Sequence, residues 1–373
     1  MTTMLARTDR SLLGTWWWTI DRTLLALLAL LAAIGVVLVF AASPAVAVRK
    51  YGDGAHFVVR HIAFLGPSAA ALLLCSLMRP LGVLRLAKGL CLVFGAMLVL
   101  TFLVGMDING ARRWLGVGAL RLQPSEFLKP ALAVLVAWLL ARQPGLAGLP
   151  RTLALVLPVL ALLAAQPDVG MAAVVAGVYG AQLFVAGIAW FWVLGLVGAG
   201  ALGLWGAYLF LPHFTTRVND FLHADTLGYQ VEQALRAVAA GGLFGRGPGE
   251  GVTKFHLPDA HADFIFAATA EEFGIVACLL LVGLFAFIVA RSLWRVAETT
   301  DRFVQLAAAG LVVQFALQAL VNMAVNLNLM PTKGMTLPFI SYGGSSFVAL
   351  AIGMGMLLAL TRRGARLVEA PQR

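Results

Sequence analysis

Four acidic residues and two histidines fall between His256 and Gly274, in the run HLPDAHADFIFAATAEEFG, which leads from a glycine-rich loop into a long apolar segment. An aspartate in or beside an apolar span is expensive, and is retained for a partner, a pathway or a reaction. Pro258 predicts a helix start at Asp259 to His261, which places Asp263 in the first turn, at the level of a membrane surface. Asp263 is therefore the residue of this run singled out for function. Glu271 and Glu272 then lie about two turns deeper, roughly 12 Å along the axis. The plainer reading is that Asp259 and Asp263 complement the helix dipole. That reading leaves the glutamates and the histidines unexplained.

Two other stretches carry reactive or ligand-binding types. NGARRWLGVGALRLQPSEFLKP, residues 109–130, gives the adjacent cations Arg112 and Arg113, an interfacial Trp114 and a helix start at Pro124 and Ser125. Glu126 and Lys129 are three apart on one helical face and can pair, either as an intramembrane structural ion pair or as part of a substrate groove. NLMPTKGMTLPFISYGGSS, residues 328–346, supplies Lys333, Ser341 and a helix start at Gly343, Gly344, Ser345 and Ser346. Backbone N–H groups at such a start can hold an anion, although a tight turn with close helix packing explains the glycines more simply. GLFGRGPGEGVTK, residues 242–254, is too rich in glycine for regular structure, and it carries Arg246 but no phosphate-loop signature.

The scaffold that positions these groups follows from composition. With 61% hydrophobic residues, 12% charged residues and a mean hydropathy of +0.91, the chain is an integral membrane protein. The net charge of +10 needs no nucleic acid, because Lys and Arg collect at cytoplasmic helix ends. Cys75, Cys91 and Cys278 all lie in apolar runs, so no disulfide framework or zinc spacing can be built from them. An all-α polytopic fold of ten transmembrane helices is expected, at 23–42, 57–78, 86–105, 127–141, 152–165, 169–189, 191–211, 263–290, 303–327 and 343–361. The fourth and fifth are short against the roughly 20 residues that a bilayer needs. The first is longer than a secretory apolar region and is read as uncleaved, although AASPAVA resembles a cleavage site.

The whole chain then forms one membrane domain. It has a cytoplasmic segment at 1–22, a large extracytoplasmic loop at 212–262 between helices seven and eight, and a cytoplasmic tail at 362–373. Within the loop, YQVEQALRAVAAGG has helical spacing and is read as a short amphipathic or re-entrant helix. Fifteen of the 27 Lys and Arg residues, including Arg7, Arg10, Arg142, Arg295 and Arg373, fall inside with both termini cytoplasmic. The outer cations include Arg112, Arg113, Arg217, Arg246, Lys254 and Lys333, and their gathering against the usual bias suggests an anionic ligand there. Long loops also translocate regardless of charge.

NGARRWL with QPSEFLKP, QPDVG at 166–170, LPDAHADFIFAATAEEFG, and PTKG with SYGGSS follow one another over almost the whole chain. Together and in this order they resemble the SEDS family of shape, elongation, division and sporulation proteins. PTKG at 331–334 is similar to the division-type members, whereas elongation-type members more often carry a Val-Thr-Gly-like sequence. Ala262, where the family usually has Thr, and GPGEG in the glycine loop depart from the pattern.

The resemblance implies a peptidoglycan glycosyltransferase of the cytoplasmic (inner) membrane that polymerises lipid II on its outer face at the division septum. It implies a class B penicillin-binding transpeptidase of the FtsI type and other division membrane proteins as partners. The family's essential aspartate matches Asp263, which would take the proton from the acceptor's 4-hydroxyl as an α-linked donor is inverted to a β-1,4 bond. Arg112, Arg113, Arg246 and Lys333 would neutralise the departing diphosphate, with His261, Ser341, Gly343, Gly344 and Ser345 as further substrate contacts. The resemblance fixes no cofactor, and a divalent cation (Mg or Mn) at the diphosphate stays open. A helix N-terminus would hold Asp263 ionised and weak as a base, whereas apolar burial would act in the opposite direction. A lipid II transporter, an elongation-type polymerase and a scaffold for division proteins are the competing readings.

Overall fold

The computed structural model of the chain describes residues 11–108, 111–117, 120–222 and 228–367; Arg7, Arg10, Asn109 and Arg373 lie outside the described residues. Helices α1 (Leu12–Thr19), α2 (Arg22–Ala42), α3 (Pro44–Tyr51), α4 (His56–Ser76) and α5 (Pro80–Val104) lead into three short strands, β1 (Met106–Ile108), β2 (Ala111–Val117) and β3 (Leu120–Leu122). The chain continues through α6 (Pro124–Arg142), α7 (Leu149–Ala165), α8 (Val169–Val185), α9 (Trp190–Phe210), α10 (Pro212–Leu222) and α11 (Tyr229–Gly241). It ends with α12 (Ile265–Ala297), α13 (Arg302–Asn326) and α14 (Gly344–Leu360).

Eight helical stretches among the described residues are long and apolar enough to cross a bilayer, and α8 and α14 are apolar helices of 17 residues each. The two segments that look short in sequence are not the short ones. Helix α6 begins at Pro124 and runs 19 residues, because Glu126 and Lys129 pair within it and so fit inside an apolar helix. A 3-10 turn at Gly145–Gly148 extends the α7 stretch to 21 residues.

Helices α6 and α13 form the centre of the bundle. Small residues such as Ala131, Ala133, Ala307, Ala308 and Gly310 are buried on them and let the backbones approach. A Cβ at Gly310 would meet the side chain of Gln182 on α8 at 2.5 Å, so a larger residue there would push two helices apart. At one end of the bundle Asp21 caps α2 through the Leu24 N–H (3.1 Å) and accepts Arg291 and Arg295 of α12 (2.8 Å each). At the opposite end lie α3, α10, α11, the sheet and the loops that carry the acidic and cationic motifs.

Three features depart from the expected architecture. The fold is not all-α, because residues 106–122 form an antiparallel sheet in the order β1-β2-β3. A non-helical connection outside the bundle must still satisfy its backbone, and Trp114, Leu115 and Val117 favour a pleated strand. Next, α12 starts at Ile265 and not at Asp259 to His261, so Asp263 precedes the helix. Asp259 has a φ of 50°, in the left-handed region, and its carbonyl accepts the Ala262 N–H (2.9 Å), closing a turn that delays the helix. Finally, α12 is broken at Gly274, which has φ 81° and ψ 176°.

The break explains the glycine-rich loop. The broken turn's groups are paired by that loop: Ile275 N–H to Gly242 O (3.0 Å), Val276 N–H to Leu243 O (3.2 Å), Arg246 N–H to Glu271 O (2.9 Å) and Gly247 N–H to Glu272 O (3.0 Å). Only glycine fits at 245 and 274, where the two backbones meet at positive φ. Glu271 then accepts three N–H groups in a row, from Val252 (2.8 Å), Thr253 (2.6 Å) and Lys254 (2.8 Å). The Lys254 ammonium pairs with Glu272 and also donates to Ala41 O and Gly249 O (3.1 Å each). Lys254, counted from the sequence among the outer cations, is therefore buried and neutralised.

Lys254→Met leaves Glu272 as an uncompensated buried charge and should lower stability by about 3–5 kcal/mol. Adding Glu272→Gln should recover most of that loss. Thermal unfolding in detergent reads both, and a double variant no more stable than the single would rule out the ion pair as the cause.

Candidate functional site

Asp263 is half-buried in the turn that precedes α12. Its carbonyl accepts one side-chain N–H from Asn322 and one from Asn326, each at 2.9 Å. Its carboxylate lies against Gly334, where an added Cβ would stand 2.7 Å from Oδ2. Burial pushes the Asp263 carboxyl up to about 7; the charge of Asp259 adds to the rise, and Lys333 and Arg217 oppose it. Asp263 precedes α12, whose first turn holds no acidic residue.

The cations beside Asp263 are organised by Asp168. This carboxylate caps α8 through the Met171 N–H (3.2 Å), pairs with Lys333 and lies 3.7 Å from Nε of Arg113. Burial alone would raise the Asp168 carboxyl, but the charges of Lys333 and Arg113 overcome it and hold it below the usual range. Burial holds the Lys333 ammonium below its usual value; Asp168 opposes that shift, and the neighbouring Arg113 and Arg217 reinforce it. The stem of Lys333 crosses Gly170 so closely that any side chain at 170 would collide with it. Arg113 also donates to Gln166 O (3.2 Å) and Pro167 O. Successive strand residues face opposite ways, so Arg113 turns inward while Arg112 is exposed and donates to Phe102 O (3.5 Å).

Several of the expected contact residues serve the framework of this site. His261 is buried, stacked on Phe57 (3.8 Å between rings), and its carbonyl accepts the Tyr342 N–H (2.9 Å). Ser341 donates to Ala262 O (2.6 Å) and accepts the Leu337 N–H (2.7 Å), so its hydroxyl is engaged by backbone. Gly343 is the N-cap of α14, and Gly344 packs on the Phe64 ring, where a Cβ would stand 2.6 Å from it. Ser345 Oγ accepts the Gln123 N–H (3.4 Å), which joins the start of α14 to the start of α6.

Glu126 and Lys129 are buried and paired at 2.9 Å, and Lys129 also donates to Gln318 (3.0 Å). Arg246 is exposed and donates to Ala240 O (3.2 Å), beside the Glu271 end of the glycine loop.

The structure thus brings together Asp263, Lys333, Arg113 and Arg217, the last counted from the sequence only among the outer cations, and adds Asp168, Asn322 and Asn326, to which the sequence reading gave no role. A signal existed for some of them: Asp168 stands one residue before an apolar helix, and the amides recur every fourth residue in α13. Among the described residues, no three His, Cys, Asp or Glu side chains are grouped to hold a metal ion. A cation at a diphosphate would draw its ligands mainly from phosphate oxygens and water.

The family of FtsW, RodA and SpoVE cell cycle proteins matches residues 21–365, in the order in which these motifs build the site. The chain belongs to this family. Over 363 residues it is 46% identical to a probable peptidoglycan glycosyltransferase FtsW of Caulobacter vibrioides, covering 96% of this chain and 93% of the relative. The fold is similar to a chain solved for a study of how a peptidoglycan synthase complex coordinates polymerisation and crosslinking, with TM-score 0.76, 31% identity and coverage of 92% and 98%. It is also similar to the Thermus thermophilus rod shape determining protein RodA, with TM-score 0.70, 30% identity and coverage of 92% and 97%. Membership in the FtsW, RodA and SpoVE family agrees with the resemblance carried by the sequence motifs and with a multi-pass membrane fold.

Asp168→Asn retains a helix cap but removes the charge that holds Lys333 and Arg113 together. The unfolding midpoint in detergent should fall, and Asp168→Ala should fall further by about 1 kcal/mol for the lost cap. Lys333→Met placed on Asp168→Asn should restore part of the loss, and no recovery would mean that like-charge repulsion is not its origin.

Proposed function

We propose that this chain polymerises lipid II into β-1,4 glycan strands for septal cell-wall synthesis, as a division-type peptidoglycan glycosyltransferase. The observation that carries the reading is a half-buried carboxylate with a pKa of about 7 facing a cluster of cations at one end of a membrane bundle. The 46% identity to an FtsW relative supports the division type. A sugar diphosphate leaves without needing a protonated acid, so one base and several cations suffice where a glycosidase needs two carboxyl groups. Asp263 takes the proton from the acceptor 4-hydroxyl as that oxygen attacks the anomeric carbon and the bond to the diphosphate breaks. Two cations, Lys333 and Arg113, share the single carboxylate of Asp168, which leaves positive charge over for the diphosphate as it departs.

A membrane transpeptidase of the penicillin-binding class is the partner that would crosslink the product. The Asp263 end faces outward, the membrane is crossed ten times, and both termini are cytoplasmic. A transporter of lipid-linked sugars would place ionisable groups along a path through the midplane. Here Glu126 and Lys129 are closed on each other, and the Asp263 and Asp168 groups gather at one end.

With purified lipid II and the transpeptidase partner, Asp263→Asn should fold and bind the partner but lose about 10²- to 10⁴-fold in rate. Because the ionised form is the base, wild-type rate should rise from about pH 6 to about pH 8 with its midpoint near 7. Abundant polymer from the Asn variant would show that another group takes the proton. Orientation has its own test: a cysteine at exposed Arg246 should react with an impermeant reagent outside intact cells, and one at Arg142 should not. Labelling of position 142 from outside would invert the site.

A further inference from the structure

Helix α13 carries Gln314, Gln318, Asn322 and Asn326 at a spacing of four, so that they stack along one face, and all four are buried, none more than 4% exposed. Buried amides in a membrane helix are costly unless they are hydrogen-bonded, and the contacts of the last three converge on the site. Asn322 donates to Asp263 O (2.9 Å) and to Met335 O (2.5 Å). Asn326 donates to Asp263 O (2.9 Å) and to Asn322 O (2.8 Å), while its Oδ1 accepts the Ala267 N–H (3.0 Å). Gln318 accepts from Lys129 (3.0 Å) and donates to Thr336 O (3.2 Å).

Both amide orientations are chemically determined. The Asn322 nitrogen faces two carbonyls, and Asn326 faces carbonyls with its nitrogen and an N–H with its oxygen.

The N-cap of α12, Phe264, offers no side-chain acceptor, so Asn326 caps α12 from a neighbouring helix. Asn322 meanwhile joins the Asp263 turn to the 333–336 segment, which carries Lys333 and the Gly334 that touches the Asp263 carboxylate. We propose that Asn322 and Asn326 are positioning residues for glycosyl transfer, which fix the proton-accepting carboxylate and the diphosphate-facing lysine relative to each other. The inference rests on the proposed polymerase reading for its chemical meaning. The coupling of the two segments stands on the hydrogen bonds alone.

Two variants test it. Asn322→Leu is close in size but donates to neither carbonyl. Asn326→Asp keeps the acceptor for Ala267 and removes the amide donors. Leu311→Ala, a buried core change on the same helix, serves as a control for general destabilisation. Both Asn variants should lower kcat for lipid II polymerisation about 10- to 100-fold, with KM within about threefold of wild type. In Asn322→Leu, which adds no charge, the base limb of the pH–rate profile should also move downward from its position near 7, because a released Asp263 turn exposes its carboxylate to water. Leu311→Ala should lose stability without moving that limb. Wild-type rates and an unmoved profile, or losses that track stability as in Leu311→Ala, would overturn the proposal.

Hydrogen exchange supplies an arm independent of activity. In Asn322→Leu the amides of 263–268 and 335–337 should exchange at least about tenfold faster together, while those of 285–296 stay unchanged. Faster exchange in only one of the two segments would show that they are not coupled through Asn322. If Asn322→Leu does not fold, Asn322→Ala, which likewise donates to neither Asp263 O nor Met335 O, decides both arms. A wild-type protein that makes no polymer with its partner would defeat the polymerase reading, and the exchange arm would still decide the coupling.

Discussion

Main-chain groups released by a break in a membrane helix must find partners inside the protein, because hydrocarbon offers none. Much of the Asp263 end of this bundle is an answer to that constraint. The chain leaves helical geometry at 259–264, again at Gly274 and again between Asn326 and Gly343. Each departure is met by a buried side chain or by another irregular strand of the chain. Glu271 takes three consecutive N–H groups of the loop, the glycine run pairs with the broken turn of α12, and Ser341 bridges Ala262 O and Leu337 N. An irregular backbone thereby becomes a fixed one.

Charge is treated in the same way. Glu126 with Lys129, Glu272 with Lys254, and Asp21 and Glu298 with Arg291 and Arg295 are sets in which each cation is matched by an acid, and they hold helices and loops together. The arrangement around Asp168 differs, since one carboxylate serves Lys333 and Arg113 while Arg217 adds a further positive field. Asp263 faces that field, yet its carboxyl is pushed up to about 7, because burial and Asp259 outweigh the cations. On the proposed reading, an anionic substrate would complete the balance that the protein leaves open, beside the carboxylate proposed as proton acceptor.

Much of this was visible in the sequence. Composition settled the membrane class, and apolar runs located most of the apolar helices to within a few residues, although α5 starts earlier and α12 ends later than expected. The spacing of Glu126 and Lys129 gave their pairing, and the helical repeat in 229–241 gave α11. Motif order gave the family, and the isolated run of acids singled out Asp263. These are local signals, carried by residue type and by the period of a helix, and they survive without knowledge of the neighbours.

Tertiary structure decided what depends on contacts between distant segments. That α12 begins after Asp263 follows from the left-handed Asp259 and from the packing of His261 on Phe57, some two hundred positions away in sequence. That Lys254 is a buried structural cation and Lys333 is held at the site depends on which acid each one meets, Glu272 or Asp168; their residue type is the same. The sheet at 106–122 and the roles of Asn322 and Asn326 were likewise hidden, because an amide in an apolar helix shows its cost in sequence but not its partners. Residue types and spacing determined which groups are present and roughly at what depth. Only packing determined which of them are neutralised, and so which remain free to act on a substrate.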